Sequence, residues 1–205
     1  MRLIGETSTG NFIIELTQVE YDAVKPVESP IQGEQPQLPV FPHISQNDAN
    51  ADDYKNDCGV ACVAMAIAGL TDKKPTVNHL MQHYIAAESR GKYLSFAQLM
   101  NVLKAFSLKP EYKRPFKVED IQAAVESGLP CIVLVKYNAL PKLLQSIVYN
   151  GSHFVLISEH NNGAFKFHDP LATKTQWINA IDLHTAMSGF KPGENLPYQG
   201  MVVRK

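Results

Sequence analysis

The apolar positions of this chain fall into two regimes. From Cys58 to Ala68 the run Cys-Gly-Val-Ala-Cys-Val-Ala-Met-Ala-Ile-Ala is apolar on every side and meets Gly69. Such a segment predicts a fully buried central helix closed at the glycine, rather than an amphipathic surface one. Val77, Leu80, Met81, Tyr84 and Ile85 then recur at helical spacing, as do Phe96, Leu99, Leu103 and Phe106. Ser95 and Gln98 form a capping box at the head of the second set, and a further helix near 118–127 is expected to stop at Gly128. Beyond it the pattern changes. Cys131–Val135 is a continuous apolar run that reads as a buried strand. Residues 153–159 and 164–168 flank Asn161-Asn162-Gly163, a hairpin signal, and Met201-Val202-Val203 reads as a last strand. Helices first and an antiparallel sheet afterwards predict an α+β domain.

The first quarter of the chain reads differently. Strand-like runs at 2–6 and 11–15 surround Ser8-Thr9-Gly10-Asn11, a predicted hairpin. Thr17-Gln18-Val19-Glu20 has the form of a capping box opening a short helix that ends before Pro26. Pro26, Pro30, Pro36, Pro39 and Pro42, from a chain with 13 prolines, leave no room for a regular element. The expected organisation is therefore a hairpin and short helix over 1–25, an extended linker over 26–42, and the main domain over 43–205.

Composition narrows the partners. The 205 residues are 45% apolar, enough for a sizeable core, and 19 basic against 20 acidic side chains leave a net charge of −1. Without a basic stripe, nucleic acid and anionic membrane surfaces are poor partners. The opening Met1-Arg2-Leu3-Ile4-Gly5-Glu6 lacks the apolar run of a signal peptide, and no stretch reaches the length of a membrane span. The reading is a protein without membrane insertion that begins its life in the cytoplasm.

Three cysteines, at 58, 62 and 131, do not suit a disulfide framework or the paired spacing of a structural zinc site. What remains is packing or nucleophilic chemistry. Cys62 sits one turn deeper in the buried helix and Cys131 inside the buried strand, so both read as packing. Cys58 stands at the first turn, with Asp57 or Asn56 available as N-cap and Gly59 leaving room for close approach. A helix N-terminus carries partial positive charge that favours thiolate over thiol, and its free N–H groups point where an oxyanion would form.

A cysteine nucleophile needs an imidazole in reach and a third group to orient it. His79 and His83 lie four apart on a helix, without the third ligand or HExxH pattern that would suggest a metal, so no metal and no cofactor are expected. Asp48-Ala49-Asn50-Ala51-Asp52 opens like a calcium loop but has Asp53 and Gly59 where that loop needs glycine and glutamate. His153 is different, a polar ring at the head of the apolar strand Phe154–Ile157, and Asp169 ends the return strand sixteen residues later. A three-residue loop between these strands puts positions 153 and 169 on one sheet face, near each other on the diagonal. A two-residue loop puts them on opposite faces unless a bulge intervenes.

The ordered blocks Ile44-Ser45-Gln46, Asp57–Met65, Pro130–Val135, Gly151–Val155 and His168-Asp169-Pro170 resemble the bacteriocin-processing cysteine peptidases. These are papain-like enzymes whose transporter-fused members cut double-glycine leader peptides. The likeness runs over roughly 40–204 and leaves residues 1–39 aside. It implies a papain-like fold, with the nucleophile helix packed on an antiparallel sheet, and a peptide or protein substrate. By the same resemblance Cys58 is nucleophile, His153 general base and acid, Asp169 the orienter of the imidazole, and Gln46 a side-chain donor to the oxyanion. Val60 stands where the family usually has proline. Two alternatives share the residues: amide hydrolysis, deamidation or acyl transfer on a non-peptide substrate, and a catalytically silent binding module on the same fold. The N-terminal segment reads as a docking module for a partner, with an inhibitory segment as the alternative.

Overall fold

The computed structural model describes residues 2–7, 10–15, 38–47, 56–191, 194 and 196–205. The chain divides into two compact units, Met1–Gln37 and Leu38–Lys205. In the first, strands β1 (Arg2–Thr7) and β2 (Gly10–Glu15) pair antiparallel from Arg2 opposite Glu15 to Thr7 opposite Gly10, as the two apolar runs predict. The capping box expected at 17–20, the linker up to 37 and the acidic stretch 48–52 lie outside the described residues.

The second unit contains helices α1 (Cys58–Leu70), α2 (Val77–Tyr84) and α3 (Phe96–Ala105), strand β3 (Lys109–Lys113), and helix α4 (Val118–Glu126). Strands β4 (Cys131–Lys136), β5 (Ser152–Asn161), β6 (Ala164–His168) and β7 (Gln176–Asn179), helix α5 (Ala180–Ser188) and strand β8 (Gly200–Arg204) follow. The six strands form one antiparallel sheet in the order β3-β8-β4-β5-β6-β7. This is an α+β fold.

Strand periodicity explains how the sheet is covered. Along β4, Ile132 and Leu134 face one core with Leu156, Met201 and the helices α1 to α3, while Cys131, Val133 and Val135 face another with α4 and α5. The run from Cys131 onward is apolar because both of its faces are buried. Helix α1 packs across β5 and β4, and its residues are buried throughout apart from Gly69. A helix apolar on all sides is what such a position requires.

Several expectations change. The central helix does not close at Gly69 but continues to Leu70, with Thr71 as C-cap. Gly69 is there for packing, because a Cβ at that position would run into the ring of Phe41. By contrast Gly128 does end its helix. At φ +74° it lets the N–H groups of Gly128 and Leu129 reach back to the carbonyls of Val125 and Ala124. The capping box on α3 forms with both of its hydrogen bonds. Strands β3 and β7 have no apolar run to announce them. β3, Lys-Pro-Glu-Tyr-Lys, is an edge strand whose proline and charges suit a side with no further neighbour.

The connection between β5 and β6 has two residues, since Asn161 pairs with Ala164. That alone would put positions 153 and 169 on opposite faces. The register shifts between Ile157 and Glu159, however, so Ser158 is an extra residue in β5. This bulge restores the parity and returns both positions to one face. It is held in place by a 2.8 Å hydrogen bond between the Ser158 hydroxyl and His168 Nε2, both buried.

Candidate active site

Cys58, His153, Asp169 and Gln46, spread over more than a hundred residues of sequence, meet at one end of helix α1. Cys58 is the first residue of the helix and is 5% exposed. Asp57 occupies the N-cap position but makes no side-chain cap, and Asn56 turns its amide to the Gly91 carbonyl at 2.8 Å. The capping expected of this pair is therefore not made by Asp57. The Asp57 carboxylate does not close over the first turn, whose N–H groups have no partner within the helix.

His153 enters from the head of β5 and is buried. Its Nε2 lies 2.7 Å from Asp169 Oδ1, and the ring lines the small cavity that also reaches Cys58, near enough for the thiol to act on its protonation. Burial pulls the ring toward the neutral form. The hydrogen bond to Asp169 and the interactions with Cys58 and Asp169 outweigh it and raise the pKa to about 9. The imidazolium form is thus favoured at neutral pH.

Asp169 is completely buried and well supplied with donors. Oδ1 also accepts the Leu171 N–H at 2.8 Å, and Oδ2 accepts the Tyr137 hydroxyl at 3.2 Å. Tyr137 itself is tied down by the Ser146 N–H at 2.8 Å, and its ring stands edge-on to His153 with centroids 5.1 Å apart. Sequence reasoning missed Tyr137. The available signal was a hydroxyl-bearing aromatic directly after the buried strand, where such a group needs an internal partner. The neighbouring His168 points the other way, to Ser158. Burial and the charges of His43 and Lys166 push it down to about 3, so it stays neutral.

Gln46 reaches the site on an extended segment laced to the Asp169 loop. Its N–H and the Ser45 hydroxyl both donate to Pro170 O, at 2.9 and 3.1 Å, and His43 Nε2 lies 2.8 Å from Ala172 O. The Gln46 side-chain oxygen is buried with no hydrogen-bond partner. Gln46, Cys58, His153, Asn56, Ile147 and Leu171 line a small cavity of about 90 Å³. A second, larger cavity of about 970 Å³ also reaches Cys58, bounded mainly by apolar groups such as Phe96, Met100, Leu134, Phe154 and Leu196.

The other two thiols line neither cavity. Burial pushes Cys62 and Cys131 well up from the ordinary thiol range, and both are fully buried, as packing cysteines are. Among the described residues no helix is long and apolar enough to cross a membrane.

Fold and site together define an α+β protein with a cysteine, a histidine and an aspartate converging at a helix N-terminus. Residues 40–191 match the Peptidase C39-like family, and the chain belongs to it. Three solved structures share the fold. A C39-like protein from Bacillus anthracis superposes with TM-score 0.57 at 16% identity, covering 83% of this chain and 98% of that one. A double-glycine motif protease from an AMS/PCAT transporter, solved with a leader peptide, gives TM-score 0.53 at 14% identity, covering 83% and 95%. The peptidase domain of Streptococcus ComA, a bifunctional ABC transporter of a quorum-sensing pathway, gives 0.53 at 13%, covering 80% and 98%. No curated protein matches the chain.

Proposed function

We propose that this protein is a cysteine peptidase in which Cys58, His153 and Asp169 act as a triad on a peptide bond. The observation that carries the reading is the buried chain of contacts from Asp169 Oδ1 through the His153 ring to Cys58 at an uncapped helix start. A structural role alone does not call for a buried histidine held toward its protonated form beside a thiol. The leader peptide bound to the double-glycine motif protease supports a peptide as the substrate class.

The chemistry runs in two steps. His153 holds the proton of Cys58, and the sulfur attacks the carbonyl carbon, forming the C–S bond and an oxyanion. The Cys58 N–H and the Gln46 amide donate to that oxygen. Collapse breaks the C–N bond as His153 passes its proton to the leaving amine. His153 then takes a proton from water, the hydroxide attacks the thioester, and the C–S bond breaks with the proton returning to the Cys58–His153 pair.

The test combines reactivity with turnover. Near neutral pH, Cys58 is expected to alkylate far faster than Cys62 or Cys131, with His153→Ala slowing it, and Cys58→Ala is expected to abolish cleavage of a mixed peptide substrate pool. Uniformly slow labelling of all three thiols would remove the basis for the reading. Residues 1–39 serve, in this proposal, as a docking segment. A large gain in turnover on deleting them would mark them instead as inhibitory.

A further inference from the structure

Among the described residues the two cavities at Cys58 share four lining residues: Cys58 itself, Tyr93, Tyr149 and Ser152. Two of these are joined. The hydroxyls of Tyr93 and Tyr149 lie 2.8 Å apart, and Tyr149 also donates to the Ser152 main-chain carbonyl at 3.3 Å. Tyr93 comes from the loop ahead of α3, on the helical side, and Tyr149 from the loop ahead of β5, on the sheet side. The bridge therefore crosses the cleft between its two walls, at the point where one chamber opens into the other.

Sheet geometry says what Tyr149 is covering. Tyr137 N–H donates to Gly151 O at 3.1 Å, which makes 137 and 151 a hydrogen-bonded pair and Lys136 with Ser152 a non-hydrogen-bonded one. The Ser152 carbonyl accordingly points away from β4. On its other side the pairing of β5 with β6 begins only at Leu156, so no strand reaches it. It is an open main-chain acceptor next to His153, filled by a tyrosine hydroxyl. The local sequence accommodates that tyrosine, because a Cβ on Gly151 would collide with the Tyr149 ring.

The route of a substrate follows from the chemistry. His153 must reach the leaving amine, and His153 lines the small cavity. The acyl part stays on Cys58 and extends into the other chamber, which His153 does not line. A substrate spanning the scissile bond passes under or through the tyrosine bridge.

We propose that the Tyr93–Tyr149 hydroxyl bridge is a gate over Cys58, which an extended substrate opens by exchanging its own amide N–H for the Tyr149 hydroxyl at Ser152 O. The inference rests on Cys58 being the nucleophile. The exchange keeps the Ser152 carbonyl satisfied in both states, so opening gives up chiefly the hydroxyl–hydroxyl bond. Small molecules pass the closed gate, and bulky or extended ones wait for it.

Two reagents with the same warhead read the gate without any substrate, iodoacetamide and a fluorescein-bearing iodoacetamide, each rate at Cys58 being normalised to a free thiol. Wild type should disfavour the bulky reagent. Tyr93→Phe, which keeps the ring and removes the hydroxyl–hydroxyl bond, should raise the bulky rate by about fivefold, the worth of one net hydrogen bond in the closed state. Tyr149→Phe, which also removes the bond to Ser152 O, should raise it at least as much, and both should barely move the small one. Tyr93→Ala, checked for folding by circular dichroism, should raise it further. A bulky-to-small ratio left unchanged by all three substitutions overturns the gate. The small reagent's rate in wild type, compared across the three thiols, separately reports whether Cys58 is the reactive one.

Discussion

Two buried aspartates stand close to Cys58 in sequence or in space, and the protein treats them in opposite ways. Asp169 receives the His153 ring, the Leu171 N–H and the Tyr137 hydroxyl. Asp57, the residue before Cys58, is 1% exposed and neither of its carboxyl oxygens has a hydrogen-bond partner. Burial alone lifts Asp57 from the ordinary carboxylate range to about 7. The pair teaches that burial does not decide what a carboxyl group can do. The donors around it do, because they replace the water it has lost. One aspartate can hold a protonated imidazole in place, and the other is an unpaid cost of building the helix start.

The strongest way to break this contrast is to remove the charge of the well-supplied member. Asp169→Asn leaves the shape and takes away both the negative charge and the right acceptor for His153 Nε2. Turnover should fall by about a thousandfold or more, the scale seen when a triad carboxylate is lost. The pH profile is the sharper readout. With His153 at about 9 in the native site, activity should hold through neutral pH and decline as the imidazolium loses its proton near that value. Without Asp169 the lowering by burial meets less opposition, so the alkaline limb should move toward neutral pH. A limb that stays in place would mean that another group sets it.

Next in size is Gln46→Ala. Its side chain lines the small cavity with Cys58 and His153, and losing one oxyanion donor costs about a hundredfold in kcat. If KM rises and kcat holds, Gln46 belongs to binding rather than to the reaction step. Smaller again is Tyr137→Phe, which deletes one donor to Asp169 and leaves Ser146 N–H without its acceptor. A loss of about tenfold, with the alkaline limb little changed, is expected for a residue that positions the aspartate, at roughly one hydrogen bond's worth.

How much of this was readable beforehand depends on whether the interaction is local. The all-apolar Cys58–Ala68 run and the two-faced Cys131–Val135 run were legible because burial writes itself directly into periodicity. The order Cys58, His153, Asp169 was legible as well, and so was the dependence of the His153–Asp169 face on the loop. The bulge that decided it was not, since Ile157-Ser158-Glu159 carries no signal and its anchor is the buried side chain of His168. Tyr137, Tyr93 and Tyr149 act through partners that lie far from them in sequence or in a backbone carbonyl, which no local pattern encodes. Gly69 looked like a helix stop because glycine is common there. Its real reason, the ring of Phe41, lies in the segment that precedes the helix.

The smallest effect tests the other aspartate, and it concerns stability. A carboxyl whose folded pKa is raised, here from 3.8 to about 7, binds its proton more tightly in the native state than in the unfolded chain. Its contribution to stability is complete below the unfolded value and is lost as pH rises through the folded one. Asp57→Asn is neutral at every pH and escapes that loss. The variant's melting temperature relative to wild type should therefore climb between about pH 4 and pH 7 and level off above. Each 1 kcal/mol gained corresponds to about 2–4 °C for a chain of this size. His153 and the other titrating groups are common to both proteins and cancel in the difference. A gap that does not change between pH 5 and pH 8 would mean that Asp57 keeps its charge at no cost. The two aspartates would then differ in their partners but not in their energetics.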